Sequence, residues 1–170
     1  MPTCSTSIDI SAPASVVWAV MTDLPRYGEW NPLIVGVDLL DDAPAPVAGG
    51  RLRLHVDMEG KRRQILEWIA VWRPPTPGED TLPAQLTYQF RGLMHRLHLV
   101  RGQRTQRLRP QGPEATRYET SEAFSGLLTA FLPLAAVTAG FEAHAAALKA
   151  RAESLQGIAD IKPLIGTSAG

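Results

Sequence analysis

Glu122, Arg104, Gln106, Thr120 and Tyr88 are the polar side chains whose types and spacing point to chemistry. Between 116 and 125 the sequence alternates: Tyr118, Thr120, Glu122 and Phe124 share one face of a strand, and Arg117, Glu119, Ser121 and Ala123 the other. The first set is the more apolar, so it should face a core and carry the Glu122 carboxylate inward. A buried carboxylate is costly unless it is paired or protonated. On the preceding strand, 100 to 109, a shared face holds Gly102, Arg104, Gln106 and Leu108. If Leu108 pairs with Tyr118, Gln106 meets Thr120 and Arg104 meets Glu122. The spacing therefore predicts an Arg104–Glu122 pair flanked by Gln106 and Thr120. It serves either as a structural ion pair that fixes register or as a polar anchor for an otherwise apolar ligand. A stronger version makes Glu122 a general acid or base, raised by desolvation unless Arg104 opposes the shift. Arg104 and Tyr88 are the companion catalytic candidates.

Other chemistries find little support. Seventeen basic residues balance seventeen acidic ones, so no global charge draws nucleic acid or an anionic surface. The segment Arg91 to Arg109 holds six arginines and two histidines but no aromatic residue on which bases could stack. His95 and His98 lack partners for a metal site and read as loop or strand surface. Cys4 is the only cysteine, which excludes an internal disulfide and a cysteine cluster. There is no Gly-x-Ser-x-Gly elbow, phosphate loop or cofactor signature. No apolar run approaches the roughly 20 residues of a membrane span, and MPTCSTSIDI lacks a secretory pattern. The expectation is a reduced, cytoplasmic protein with no metal, no cofactor, no nucleic acid and no stable membrane insertion. No large apolar surface patch is evident for a partner-docking role.

The elements that must position these residues follow from pattern. Ser7 to Ile10 alternates as a first strand. Ser11 is placed to cap a short helix with Pro13 in its first turn, and Thr22 and Asp23 to restart a second ending near Tyr27. Two half-buried strands follow, on Leu33, Val35, Val37 and Leu39, then on Leu52, Leu54, Val56 and Met58. Residues 62 to 73 are apolar on both alternations, so their inner face stays open. A strand on Leu86, Tyr88 and Phe90 precedes the pair already described. Last comes a long helix, with Leu127, Phe131, Leu134, Thr138, Phe141, Ala145, Leu148, Ala152 and Leu155 along one face and Pro133 kinking its start. The pattern is α+β: a curved, antiparallel, seven-stranded sheet around one long helix, with two short helices after the first strand. One domain spans 1–156, with a loosely held tail at 157–170. Exposed edge strands could pair into a homodimer.

The opening I-D-I-S-A-P-A-S-V-V-W-A-V-M-T-D, the Y-G-E-W-N-P corner and the T-S-E-A-F-S-G strand resemble the SRPBCC superfamily. That group holds START lipid-transfer domains, the birch-pollen-allergen fold and polyketide cyclase/dehydrase-like proteins. The resemblance runs from about Thr6 to Leu155 and implies a helix-grip fold with a deep apolar cavity between sheet and helix. Relatives often carry histidine where this chain has Thr120, which weakens the case for a proton-shuttling pair. Leu54, Val56, Met58, Trp68, Leu86, Tyr88 and Phe90 are expected on the cavity wall. Trp30, Tyr118, Phe124, Phe131, Leu134, Thr138 and Phe141 should complete it. Arg104, Gln106, Thr120 and Glu122 would be its polar groups. The expected function is to shelter a small hydrophobic ligand, such as a lipid, polyketide or aromatic metabolite. The alternative is a cyclase/dehydratase-type enzyme using Arg104 and Glu122.

Overall fold

The computed structural model describes residues 1–41, 46–58, 60–76, 83–91 and 93–155, apart from the side chains of Met58 and Met94. Met58 as a wall residue and the tail at 157–170 thus lie outside the described residues. Seven strands form one antiparallel sheet: β1 (Thr3–Ile10), β2 (Ile34–Leu39), β3 (Arg51–Met58), β4 (Lys61–Arg73), β5 (Ala84–Phe90), β6 (Arg101–Gly112) and β7 (Ala115–Ser125). Their order across the sheet is β1-β7-β6-β5-β4-β3-β2, so the first strand closes onto the last. Between β1 and β2 lie α1 (Ala14–Thr22), a 3-10 turn (Leu24–Arg26) and α2 (Tyr27–Trp30). A short α3 (Leu93–Arg96) sits between β5 and β6, and α4 (Leu134–Leu155) closes the chain. This is the expected α+β, helix-grip-like layout.

Alternation buries one face of each strand against α1 and α4. On β3 the residues Leu52, Leu54 and Val56 go inward. Ile10, Leu86, Leu108 and Tyr118 join them, with Leu148, Ala145 and Ala152 from α4. Each large side chain of this kind contributes about 1.5–3 kcal/mol on leaving water. The alanines keep α4 close to the sheet. Trp18 of α1 meets Trp72 edge to face at 5.2 Å, both in the core.

Several local expectations change. β4 carries a bulge between Ile69 and Val71, so Glu67, Ile69 and Trp72 pair with the inward residues Phe90, Tyr88 and Leu86. The extra residue resets the alternation. Trp68 therefore lies opposite Gln89 on the outer face, with the Arg91 guanidinium 5.1 Å from its ring, and is not a cavity wall. The long helix begins at Leu134, seven residues later than the apolar spacing suggested. A 3-10 turn (Thr129–Phe131) and Pro133 precede it, leaving Leu127 and Phe131 80% and 81% exposed. Phe131 thus leaves the wall too. Pro133 does not kink the helix; its carbonyl accepts the Val137 N–H from outside the first turn. Neither Ser11 nor Asp23 makes a side-chain cap. The Ser11 N–H instead donates to Glu153 Oε1 at 2.8 Å, tying the end of β1 to α4.

Candidate functional site

The β6–β7 ladder has the expected register: Leu108 faces Tyr118, Gln106 faces Thr120, and Arg104 faces Glu122. The side chains then depart from it. Arg104, 7% exposed, donates its Nε–H to Thr120 Oγ1 at 3.1 Å and rests its guanidinium 4.3 Å from the centre of the Phe141 ring. Among the described residues no ion pair within 4.0 Å joins it to Glu122, so the expected close pair is corrected. The reason is Gly102. A Cβ there would lie 2.6 Å from Glu122 Oε1, so the missing side chain lets the carboxylate lean along β6 away from Arg104. Its pKa is raised by burial, with Arg104 opposing in part.

A second carboxyl, unforeseen in the sequence, enters from β4. Glu67 is half-buried on the inward face between Leu52 of β3 and Phe90 of β5. Burial raises its pKa to about 7, Glu122's negative charge adds to the shift, and Arg104 lowers it. One buried cation thus faces two carboxyls that hold protons more readily than usual.

The third component is His144, also unforeseen. It sits on the buried face of α4, fully enclosed. Asn31, from the Trp-Asn-Pro corner, fixes its protonation. Asn31 Oδ1 accepts the N–H groups of Leu33 and Ile34, both at 2.9 Å. That leaves Nδ2 to donate to His144 Nδ1 at 2.8 Å. Nδ1 is then an acceptor, and the neutral ring carries its proton on Nε2. Burial, reinforced by the Arg104 charge, holds the imidazole neutral by pushing its pKa well below the usual range. The ring lies 5.4 Å from Trp30, 6.1 Å from Tyr118 and 6.3 Å from Tyr27, centre to centre.

The tyrosines supply directed hydroxyls. Tyr118 donates to Gln106 Oε1 at 2.6 Å, and Tyr27 to the Met21 carbonyl at 2.7 Å. Tyr88 adjoins Tyr27, and burial raises the pKa of all three phenols, so they stay protonated. Two donors are left over. Arg104 Nη2 and His144 Nε2 are buried and have no hydrogen-bond partner among the described residues. Unmatched buried donors are expensive, so two of them, one from β6 and one from α4, point to an acceptor that the fold is built to receive.

Residues 1–153 match the family described as "Polyketide cyclase / dehydrase and lipid transport". The chain belongs to that family. No curated protein sequence matches it. Among solved structures, the Zhui aromatase/cyclase from Streptomyces sp. R1128 superposes with a TM-score of 0.71 at 18% identity, covering 91% of this chain and 95% of the other. A START superfamily protein from Mycobacterium smegmatis gives 0.66 at 22% identity, covering 90% and 98%. A norcoclaurine synthase point mutant from Thalictrum flavum, in complex with a transition-state analogue, gives 0.65 at 13% identity, covering 91% and 96%. These likenesses are of fold.

Within this polyketide cyclase/dehydrase and lipid transport fold, the interior is apolar only in part. Leu54, Val56 and Leu86 line the inward face, and Phe90 lies half-buried opposite Glu67. Phe124 and Phe141 form a small cluster with Cys4, against which Leu134 packs. Thr138 is half-buried on α4. Among these apolar groups stand polar ones: Asn31, Glu67, Arg104, Gln106, Thr120, Glu122 and His144, with three tyrosines. Among the described residues no group of three or more His, Cys, Asp or Glu is placed to hold a metal ion.

The missed residues left faint signals. His144 lies three residues after Phe141 and four before Leu148, on the buried stripe. Glu67 shares an alternation with Ile65 and Ile69, which would have marked it as inward had the bulge been anticipated.

Proposed function

We propose that this protein binds a small, largely apolar molecule bearing a carbonyl, phenol or carboxylate oxygen, held between the sheet and α4. Arg104 Nη2 and His144 Nε2–H donate to that oxygen, while Leu54, Val56, Leu86 and Phe141 surround its apolar part. The reading is carried by these two buried donors, which have no partner among the described residues. It agrees with a family described by cyclase, dehydrase and lipid-transport roles, and with a fold neighbour named as an aromatase/cyclase. Sequestration, transport and sensing all use the same binding step.

A second reading, catalysis, is favoured by Glu67. A carboxyl titrating at about 7 beside Glu122 and a fixed cation suits proton transfer to a carbonyl-rich substrate, with Arg104 stabilising enolate charge. Native mass spectrometry of the freshly purified protein and of Arg104→Gln tests the binding step. A retained small-molecule adduct, at least about tenfold less occupied in the variant, supports it, since losing a charged hydrogen bond weakens binding on that scale. A bare mass in the wild type, or equal occupancy in both, rejects it. Conversion of the adduct to a dehydrated product on standing would favour the enzyme.

A further inference from the structure

Four large apolar side chains crowd one end of the sheet. Leu93 and Leu97, on and just after α3, are 70% and 55% exposed, and Leu127 and Phe131, before α4, are 80% and 81% exposed. The two connections are locked together: the Leu127 N–H donates to the His98 carbonyl at 3.2 Å and the Leu128 N–H to that of Leu99 at 2.9 Å. Sequence pattern alone gave no sign of this grouping, because the two connections are far apart along the chain.

The charge carried by the segments that form the patch has one sign. Between Thr81 and Pro113 the chain has no Asp or Glu, nor has it any between Ala123 and Gly140. Arg91, His95, Arg96, His98 and Arg101 lie beside the leucines. Among the described residues the nearest cations have no acidic partner within 4.0 Å. Arg91 Nε, Arg101 Nε and His95 Nδ1 are buried atoms with no hydrogen-bond partner among the described residues. His95 and Arg101 line a depression of about 240 Å³ with Gln89, Gln103 and Ser125. The His95 pKa is pushed down by desolvation and then by Arg91, Arg101 and His98, a sign of accumulated positive potential.

Protruding apolar tips beside bases, on connections whose own sequence holds no acid, suit a surface that is anionic outside and oily just beneath. A protein partner would more usually meet a continuous groove or flat core patch. The position is also apt. Arg101 at the rim begins β6, and Arg104 lies three residues further in, about 10 Å along an extended strand. Among the described residues no helix is long and apolar enough to cross a membrane, so the contact is peripheral.

We propose that the rim formed by Leu93, Leu97, Leu127 and Phe131, with Arg91, Arg96 and Arg101, docks on the surface of an anionic lipid bilayer. This goes beyond ligand binding in the interior and is tested without any interior ligand. The full chain is sedimented with vesicles of phosphatidylcholine alone or mixed with phosphatidylglycerol. The wild type should pellet with the mixed vesicles, and high salt should release it. The double variant Leu127→Ser/Phe131→Ser should bind about tenfold more weakly, and Arg96→Glu several-fold more weakly, from lost apolar burial and lost attraction. Both changes fall on exposed positions, and circular dichroism checks that the fold persists. Val47→Ser, at an exposed site away from these connections, should bind like the wild type. Failure to pellet with either vesicle, equal binding to neutral vesicles, or undiminished binding by the double variant overturns the proposal. A failure of docking leaves the interior adduct experiment untouched, and the reverse holds as well.

Discussion

At Glu67, burial and the neighbouring Glu122 charge both favour the protonated carboxyl, while Arg104 opposes them only in part. The consequence is a stability that depends on pH in a defined sense. Because the folded value, about 7, lies above the ordinary 4.5, the stabilisation from Glu67 is fully present below about 4.5 and is lost as pH rises through 7. His144 acts in the opposite sense. Its folded value is depressed, so its contribution is present above the ordinary 6.5 and is lost as pH falls toward the folded value. A wild-type profile mixes the two, whereas a comparison with Glu67→Gln separates them. Between about pH 5 and pH 8 the wild type should lose about 2–3 kcal/mol more than the Gln variant, from the size of the shift. Urea unfolding of both proteins across that range measures it. Parallel profiles would show that Glu67 ionises freely and is not the proton reservoir of the site.

Among the elements, the joint between β7 and α4 depends on one backbone conformation. Gly126 has φ +121°, and a Cβ there would meet the Leu99 and His98 carbonyl oxygens at 2.5 and 2.7 Å. Gly126→Ala should therefore cost about 2–4 kcal/mol from strain and collision. Thermal melting should show a midpoint lower by several degrees, and an unchanged midpoint would mean that the two connections part without cost. The same joint explains why apolar spacing misplaced the helix start. Leu127, Phe131 and Leu134 are spaced like a helical face, but Gly126 and Pro133 break the backbone around them. Long regular elements were legible because period 2 on β3, β6 and β7 and the stripe from Phe141 to Ala152 each have one consistent solution. The Arg104–Glu122 register followed from that regularity. The close ion pair did not, because its absence depends on the space above Gly102 and on Phe141 beneath the guanidinium. Trp68 and Glu67 were misread or unread because a single bulge reverses the faces of β4, and sequence alternation carries no mark of it. His144 escaped because its role is set by Asn31, more than a hundred residues away.

Across the whole molecule, the sheet and α4 enclose a polar centre where an apolar one would be the simpler solution. Among the described residues Arg104 is desolvated without a close carboxylate partner, and His144 holds a donor with nothing to receive it. Replacing buried charged groups by apolar side chains of similar size is often neutral or stabilising. If the centre exists to hold a ligand's oxygen, stability and binding should move in opposite directions when it is removed. The variant Arg104→Met, which leaves the Asn31–His144 hydrogen bond in place, should, freed of bound molecules, be as stable as the wild type or more stable by about 1–3 kcal/mol. That corresponds to a melting midpoint raised by about 2–12 °C. Its retained adduct should be lost. Protonation of Glu67 and Glu122, both already shifted that way, absorbs the loss of the cation. A large fall in the melting midpoint would reverse the interpretation: Arg104 would be structural, its unmet donor tolerated because Phe141 and Thr120 hold it in place. A rise in stability with loss of the adduct would mean that the fold gives up packing energy to keep a charged donor facing inward.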